Sequence, residues 1–219
     1  MCSGCVNPTR KLEGANAYVR AQDCYDVLAW VADPTSDLPR CADRSRIVVG
    51  GDSAGGNLSC VIASLARDGL DADLRPAARK IRISRQILIY PALFHELEML
   101  AMKEQGMFIS PPVTTFFMES YIPVDTDIVH LAKTDRRLAP LLAGAKGLPP
   151  TTLVSAGMDL LRHENRVVVA ALREAGVPVT HHHFDGVPHG FVTFHFMQEA
   201  ELAFELIAKD LEGVCETKV

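Results

Sequence analysis

Three residues far apart in the chain have the types that acyl-transfer chemistry needs: Ser53, Asp159 and His189. A serine hydroxyl is a poor nucleophile at neutral pH, so a base must take its proton during attack, and imidazole suits that task. A carboxylate behind the imidazole fixes its tautomer and stabilises the charge it gains. Ser53 sits in Gly51-Asp52-Ser53-Ala54-Gly55-Gly56-Asn57, which contains G-x-S-x-G at Gly51, Ser53 and Gly55. The β-branched run Ile47–Val49 precedes it, and apolar residues at helical spacing (Leu58, Val61, Ile62, Leu65) follow. Strand, tight turn and helix around such a serine make a nucleophile elbow. The turn forces the serine into a strained conformation, and side chains at its neighbours would collide. The helix N-terminus aims N–H groups at the same spot, and the backbone N–H of Ala54 is the expected oxyanion donor.

Each residue has a plainer reading. Ser53 could lie in an ordinary glycine-rich turn, Asp159 could cap the helix after it, and His189 could be a surface residue in a Pro-His-Gly loop. What joins them is position. All three follow expected strands, and the carboxyl ends of parallel strands are where sites gather. Asp185 is a rival acid, but it lies too near His189 to come from a separate strand end. His181-His182-His183 suggests metal, yet alternation along a strand lets only two share a side. We therefore assign no metal and no cofactor.

The positioning elements follow from periodicity. Helix is expected over 16–32, with Tyr18, Ala21, Tyr25, Leu28, Ala29 and Ala32 on one face, and Asp33-Pro34 stopping it. The strand into the elbow starts at Ile47, and the elbow helix ends near Arg67 at Asp68-Gly69. Residues 68–80 read as a charged loop. Further strands are expected at 86–90, 151–155 and 177–184. A helix over 164–175 ends at Gly176 with Pro178 beyond. Residues 186–190 read as a loop, and the last helix as 193–211, with Ala200, Ala203, Phe204, Ile207 and Leu211 inward. The stretch 94–123 mixes Met and Phe with Pro111-Pro112. It is expected to hold a helix over 112–121 and to wall a hydrophobic pocket. Alternating strands and helices predict an α/β fold, a mostly parallel sheet with helices on both faces. Residues 1–15 read as irregular and 16–213 as a single domain.

Composition narrows the classes. Hydrophobic residues are 48% of 219, which excludes a disordered chain, and a net charge of −5 without a basic cluster argues against nucleic acid. No apolar run is long enough to span a membrane. Met1–Lys11 lacks the apolar core of a signal peptide, so a cytoplasmic protein with reduced cysteines is expected. Cys2-x-x-Cys5 has no second pair and no βαβ context, and reads as part of a frayed terminus.

The chain resembles the hormone-sensitive-lipase-like carboxylesterases, the α/β-hydrolase fold-3 family. The matching stretches are Asp23-Cys24-Tyr25-Asp26, Ser45 through the GDSAGGN string to Leu58, Ile89-Tyr90-Pro91, Leu148-Pro149-Pro150-Thr151, Gly157-Met158-Asp159-Leu160-Leu161-Arg162 and Val187-Pro188-His189-Gly190-Phe191. They span about residues 22–211, and the chain order Ser…Asp…His is that of α/β-hydrolases. The resemblance implies hydrolysis of small to medium carboxylic esters through an acyl-enzyme on Ser53, with Asp159 and His189 completing the triad. It also resembles plant gibberellin receptors, ligand-binding proteins that lost the catalytic histidine; His189 is retained here. Two departures stand out. Leu160 follows Asp159 where the family usually has proline. The 219 residues contain neither the family's HGGG oxyanion loop nor the Tyr-Arg-Leu-Ala-Pro signature before the first helix. The resemblance thus implies an N-terminally incomplete member, catalytically weakened, with Arg46–Gly50 a bare apolar edge prone to self-association.

Overall fold

The computed structural model describes residues 17–39, 41–78, 80–94, 107–121 and 127–216. Helix α1 (Ala17–Ala32) leads to strand β1 (Ile47–Asp52) and helix α2 (Ala54–Asp68). Strand β2 (Ile83–Ile89) follows, then helices α3 (Pro111–Tyr121) and α4 (Ile128–Thr134) and a 3-10 turn, Pro140–Ala143. Strand β3 (Thr151–Met158), helix α5 (Arg162–Glu174), strand β4 (Val179–Pro188), a 3-10 turn at Phe191–Thr193 and helix α6 (Gln198–Glu216) complete the order. The strands pair in parallel as β1-β2-β3-β4.

Alternation along the strands separates two cores. Leu88 of β2 and Leu153 of β3, paired in register, are fully buried beside Cys60 of α2 and Val168 and Leu172 of α5. Their neighbours Ile89 and Val154 point the other way, into a cluster with Ala200, Ala203 and Ile207 of α6. Helices therefore cover both faces, as a parallel sheet of apolar strands requires. Phe204 departs from the expected inward face of α6: it is 50% exposed, because Ala200, Ala203 and Ile207 already fill the contact.

Several elements outrun their sequence signals. β2 starts at Ile83 because Ser84 and Arg85 are tolerated within the sheet; Arg85 Nη1 donates to Thr152 Oγ1 at 3.0 Å. β4 runs on through Gly186 to Pro188, where a loop was expected, since Met158 of β3 pairs with Pro188 across a register shift. Gly157 marks that shift: a Cβ there would lie 2.1 Å from the Asp185 carbonyl oxygen. The close approach places Asp159 and His189 just beyond neighbouring strand ends. Helix α4 was not expected; Asp127 caps it, accepting from the His130 N–H at 3.0 Å. Among the described residues β1 is an edge strand, paired only with β2, but its side chains are not bare. Ile47 and Val49 are 7% and 9% exposed, packed with Ala21, Tyr25 and Leu28 of α1 and Leu65 of α2.

Candidate active site

Ser53 links β1 to α2 with φ 53° and ψ −117°, a combination that costs an L-residue roughly 1–3 kcal/mol. Surrounding contacts hold it there. Its N–H donates to Ile89 O at 2.8 Å, and its carbonyl accepts from Asn57 N–H at 3.2 Å and Ala92 N–H at 3.4 Å. The turn is tight enough that a Cβ on Gly51 would meet the Gly55 carbonyl at 2.5 Å. A Cβ on Gly56 would meet Pro91 Cβ at 2.9 Å. Gly55 differs: its nearest contact is Asp52 Oδ1 at 4.0 Å, so its side-chain position is open. Asp52 itself is exposed at the strand end.

Ser53 Oγ lies 2.9 Å from His189 Nε2, and His189 Nδ1 lies 2.7 Å from Asp159 Oδ2. These three residues come from the ends of β1, β4 and β3. Asp159 is fully buried, and its other oxygen accepts from Leu161 N–H at 2.9 Å. Asp159 is not the cap of α5, whose N-cap is Leu161: one of its oxygens organises the turn before that helix and the other faces the imidazole. An imidazole bonded to a carboxylate at Nδ1 presents Nε2 as acceptor to the hydroxyl, the arrangement needed for proton removal. Ser53 and Ala54 open onto a cavity of about 330 Å³ walled by Leu58, Ala92, Phe94, Ile109, Phe117 and Leu161.

The family model described as alpha/beta hydrolase fold matches residues 16–193. The chain belongs to the alpha/beta hydrolase fold family. The carboxylic ester hydrolase LipN of Mycobacterium tuberculosis is 33% identical over 178 residues, covering 78% of this chain and 44% of LipN. Arylacetamide deacetylase of Bos taurus is 26% identical, covering 81% of this chain and 57% of that protein. Among solved structures, EstE1, a thermostable carboxylesterase cloned from a metagenomic library, superposes with a TM-score of 0.74 at 30% identity. That superposition covers 89% of this chain and 63% of EstE1. The chain thus spans about half the length of the curated relatives it matches.

Within this alpha/beta hydrolase, a supporting tier escaped the sequence reading. The segment Tyr90–Phe94 after β2 forms the floor beneath Ser53 and His189, and buried polar groups hold it. Asn57 Nδ2 donates to Ala92 O and Leu138 O, both at 2.8 Å. Asn165 Nδ2 donates to Pro91 O at 2.8 Å, and Glu164 Oε2 accepts from Leu93 N–H at 3.2 Å. All three side chains are at most 2% exposed. Tyr90 is fully buried, and its ring packs against the His189 imidazole with centroids 4.6 Å apart. Burial, helped by Asp52 and Asp159 nearby, pushes its phenol far above the usual range, so it stays neutral. A signal existed for one part: Glu164 and Asn165 open α5 on its core-facing side, where polar residues demand a partner.

The three consecutive histidines split as alternation requires. His181 Nε2 and His183 Nδ1 both reach Ser155 Oγ, at 2.7 and 2.8 Å, while His182 Nε2 faces Asp210 Oδ2 at 3.0 Å on the other side. Asp185, the rival acid, is an exposed residue of β4 that meets His183 Nε2 at 3.1 Å.

Proposed function

We propose that this chain is a serine hydrolase of the carboxylesterase type acting on small to medium carboxylic esters, with Ser53, His189 and Asp159 as its triad. His189 Nε2 takes the Ser53 proton as Oγ attacks the ester carbonyl. The tetrahedral oxyanion forms beside the Ala54 N–H at the start of α2. The imidazolium, held by Asp159, returns the proton to the departing alkoxide, leaving an acyl-serine. Water, deprotonated by the same imidazole, then releases the acid. The observation that carries the reading is the 2.9 and 2.7 Å chain from Ser53 through His189 to buried Asp159, at the mouth of an apolar cavity. The family membership and the names of the relatives support the same chemistry.

The 219 residues hold no HGGG stretch, so Ala54 is the single oxyanion donor assigned. A second donor beside Ala54 would be worth roughly 10²–10³ in rate. Residues 16–213 form one hydrolase domain, and 94–123 contributes a pocket wall, a reading supported by Phe94, Ile109 and Phe117 in that wall. None of the described helices is long and apolar enough to cross a membrane. We place the protein in the cytoplasm, with β1 as the edge for self-association; a concentration-dependent sedimentation mass checks the latter. The direct test is hydrolysis of p-nitrophenyl butyrate by the chain beside Ser53→Ala. Turnover that disappears in the variant supports the reading, and equal rates overturn it.

A further inference from the structure

The cavity in front of Ser53 is apolar, but it is not uncharged. Arg20 of α1 lines it, and among the described residues lining this cavity it is the one with a formal charge. A neutral ester has no use for a guanidinium. Covering one with a hydrocarbon strips away water and gives nothing back, so an apolar pocket with a cation at its wall is mismatched to a wholly apolar ligand.

Three observations bear on what the cation meets. Its guanidinium lies over the Tyr121 ring, 6.0 Å from the centroid. A ring face orients an arginine without neutralising it. Asp23, one turn along α1, shares the neighbourhood of Arg20, since the two act on the Cys24 thiol in opposite senses. Of the four hydroxyls in this wall, Thr114 Oγ1 and Ser120 Oγ are committed as donors, to Ser110 O at 3.2 Å and Phe116 O at 2.7 Å, Ser53 Oγ is the reacting group, and the Tyr121 phenol is neutral. The charged donor offered to a ligand oxygen is Arg20. The field of that charge is felt locally, since it opposes the burial that pushes the Tyr121 phenol up to about 12.

We infer that Arg20 selects esters whose far end carries a carboxylate. Resting on the hydrolase reading above, this narrows the substrate class to half-esters of dicarboxylic acids or esters of carboxylate-bearing alcohols. The apolar walls take the connecting carbons, the reacting carbonyl meets Ser53, and the guanidinium takes the carboxylate through two parallel N–H donors. Arg20 is exposed, so the selection is modest and fades with salt.

The test measures binding to the Ser53→Ala chain by titration calorimetry, which reads the site whether or not the chain hydrolyses anything. Two matched pairs are compared: mono-p-nitrophenyl adipate against p-nitrophenyl heptanoate, and 4-butyryloxybenzoate against its methyl ester. In at least one pair the anion binds about five- to tenfold tighter at low salt, a gap that narrows at 0.5 M NaCl. Arg20→Gln brings that ratio to about one, and Arg20→Lys restores part of it. Equal binding within both pairs, or a preference that survives Arg20→Gln, overturns the inference. Kinetics of the unmutated chain separates it from the parent reading. Anion-selective binding without Ser53-dependent hydrolysis sinks the hydrolase reading alone; hydrolysis without anion selectivity sinks this inference alone.

Discussion

The molecule contains two clusters of serine, histidine and aspartate, and they do not have the same prospects: only one is a hydrogen-bonded chain from end to end. One joins Ser53, His189 and Asp159; the other joins Ser155, His183 and Asp185, with His181 on the same hydroxyl. Oxygen-to-nitrogen distances are alike in both, 2.9 and 2.8 Å. The difference lies in what surrounds them. Ser53 sits beyond a strand end at φ 53°, beside a cavity and a helix N-terminus. Ser155 lies inside β3, fully buried, with its hydroxyl shared by two imidazoles. The acids are also reversed. Asp159 is buried and bonds Nδ1, leaving Nε2 for the serine, whereas Asp185 is 94% exposed and its partner imidazole meets the serine through Nδ1. Residue types and short distances therefore do not make a nucleophile; access, an oxyanion donor and a protected acid do.

The comparison is broken most severely at the serines. Ser53→Ala lowers kcat for p-nitrophenyl butyrate by roughly 10⁵–10⁶, down to the level that binding alone supports. Ser155→Ala leaves kcat/KM within about twofold. At the acids, Asp159→Asn costs roughly 10⁴ in kcat by removing the partner that fixes the His189 tautomer. Asp185→Asn, changing an exposed carboxylate, leaves the rate unaltered. Steady-state kinetics on purified variants reads both pairs.

The elbow is separated from ordinary strand by its glycines. Gly51→Ala drives a Cβ to 2.5 Å from the Gly55 backbone, and we expect destabilisation by more than about 4 kcal/mol in urea unfolding, or no folded protein. Gly55→Ala, with 4.0 Å of room, shifts stability by less than about 1 kcal/mol. The smallest effect belongs to the second constellation. Burial, with the neighbouring His183 and His182 and with Arg173 and Arg166 of α5, lowers the His181 pKa from 6.5 to about 4. The unfolded chain then binds the extra proton between those values. His181 thus favours the fold fully above pH 6.5, and the contribution is lost as the pH falls towards 4. His181→Gln should flatten the fall in thermal midpoint over that window while leaving esterase activity above pH 7 unchanged.

The elbow was legible because it is local: seven residues encode strand, turn and helix start together. Asp159 was legible because an apolar run ends just before it, and His189 because it lies in the Pro-His-Gly stretch after the next strand. What could not be read is non-local. Asn57, Glu164 and Asn165 matter through carbonyls and an amide more than 70 residues away or across the sheet, and no spacing rule points there. The extension of β4 was hidden because Gly186 and Pro188 punctuate sequence, whereas the Met158–Pro188 pairing overrides that punctuation. Phe204 was placed inward by helical period alone; the sheet surface has room for only part of that stripe. The expected helix 112–121 is present one residue earlier, at Pro111, and the rest of the Met- and Phe-rich stretch at 95–106 and 122–123 lies outside the described residues.

The account turns on Ser53 being the nucleophile because of where it stands. The most direct measurement is reaction of the folded chain with a serine-directed fluorophosphonate, followed by mass spectrometry of its peptides. The account predicts a single adduct on the peptide holding Ser53, absent in His189→Ala, with Ser155 unmodified. A folded chain that takes no adduct, or takes it at Ser155, would contradict it.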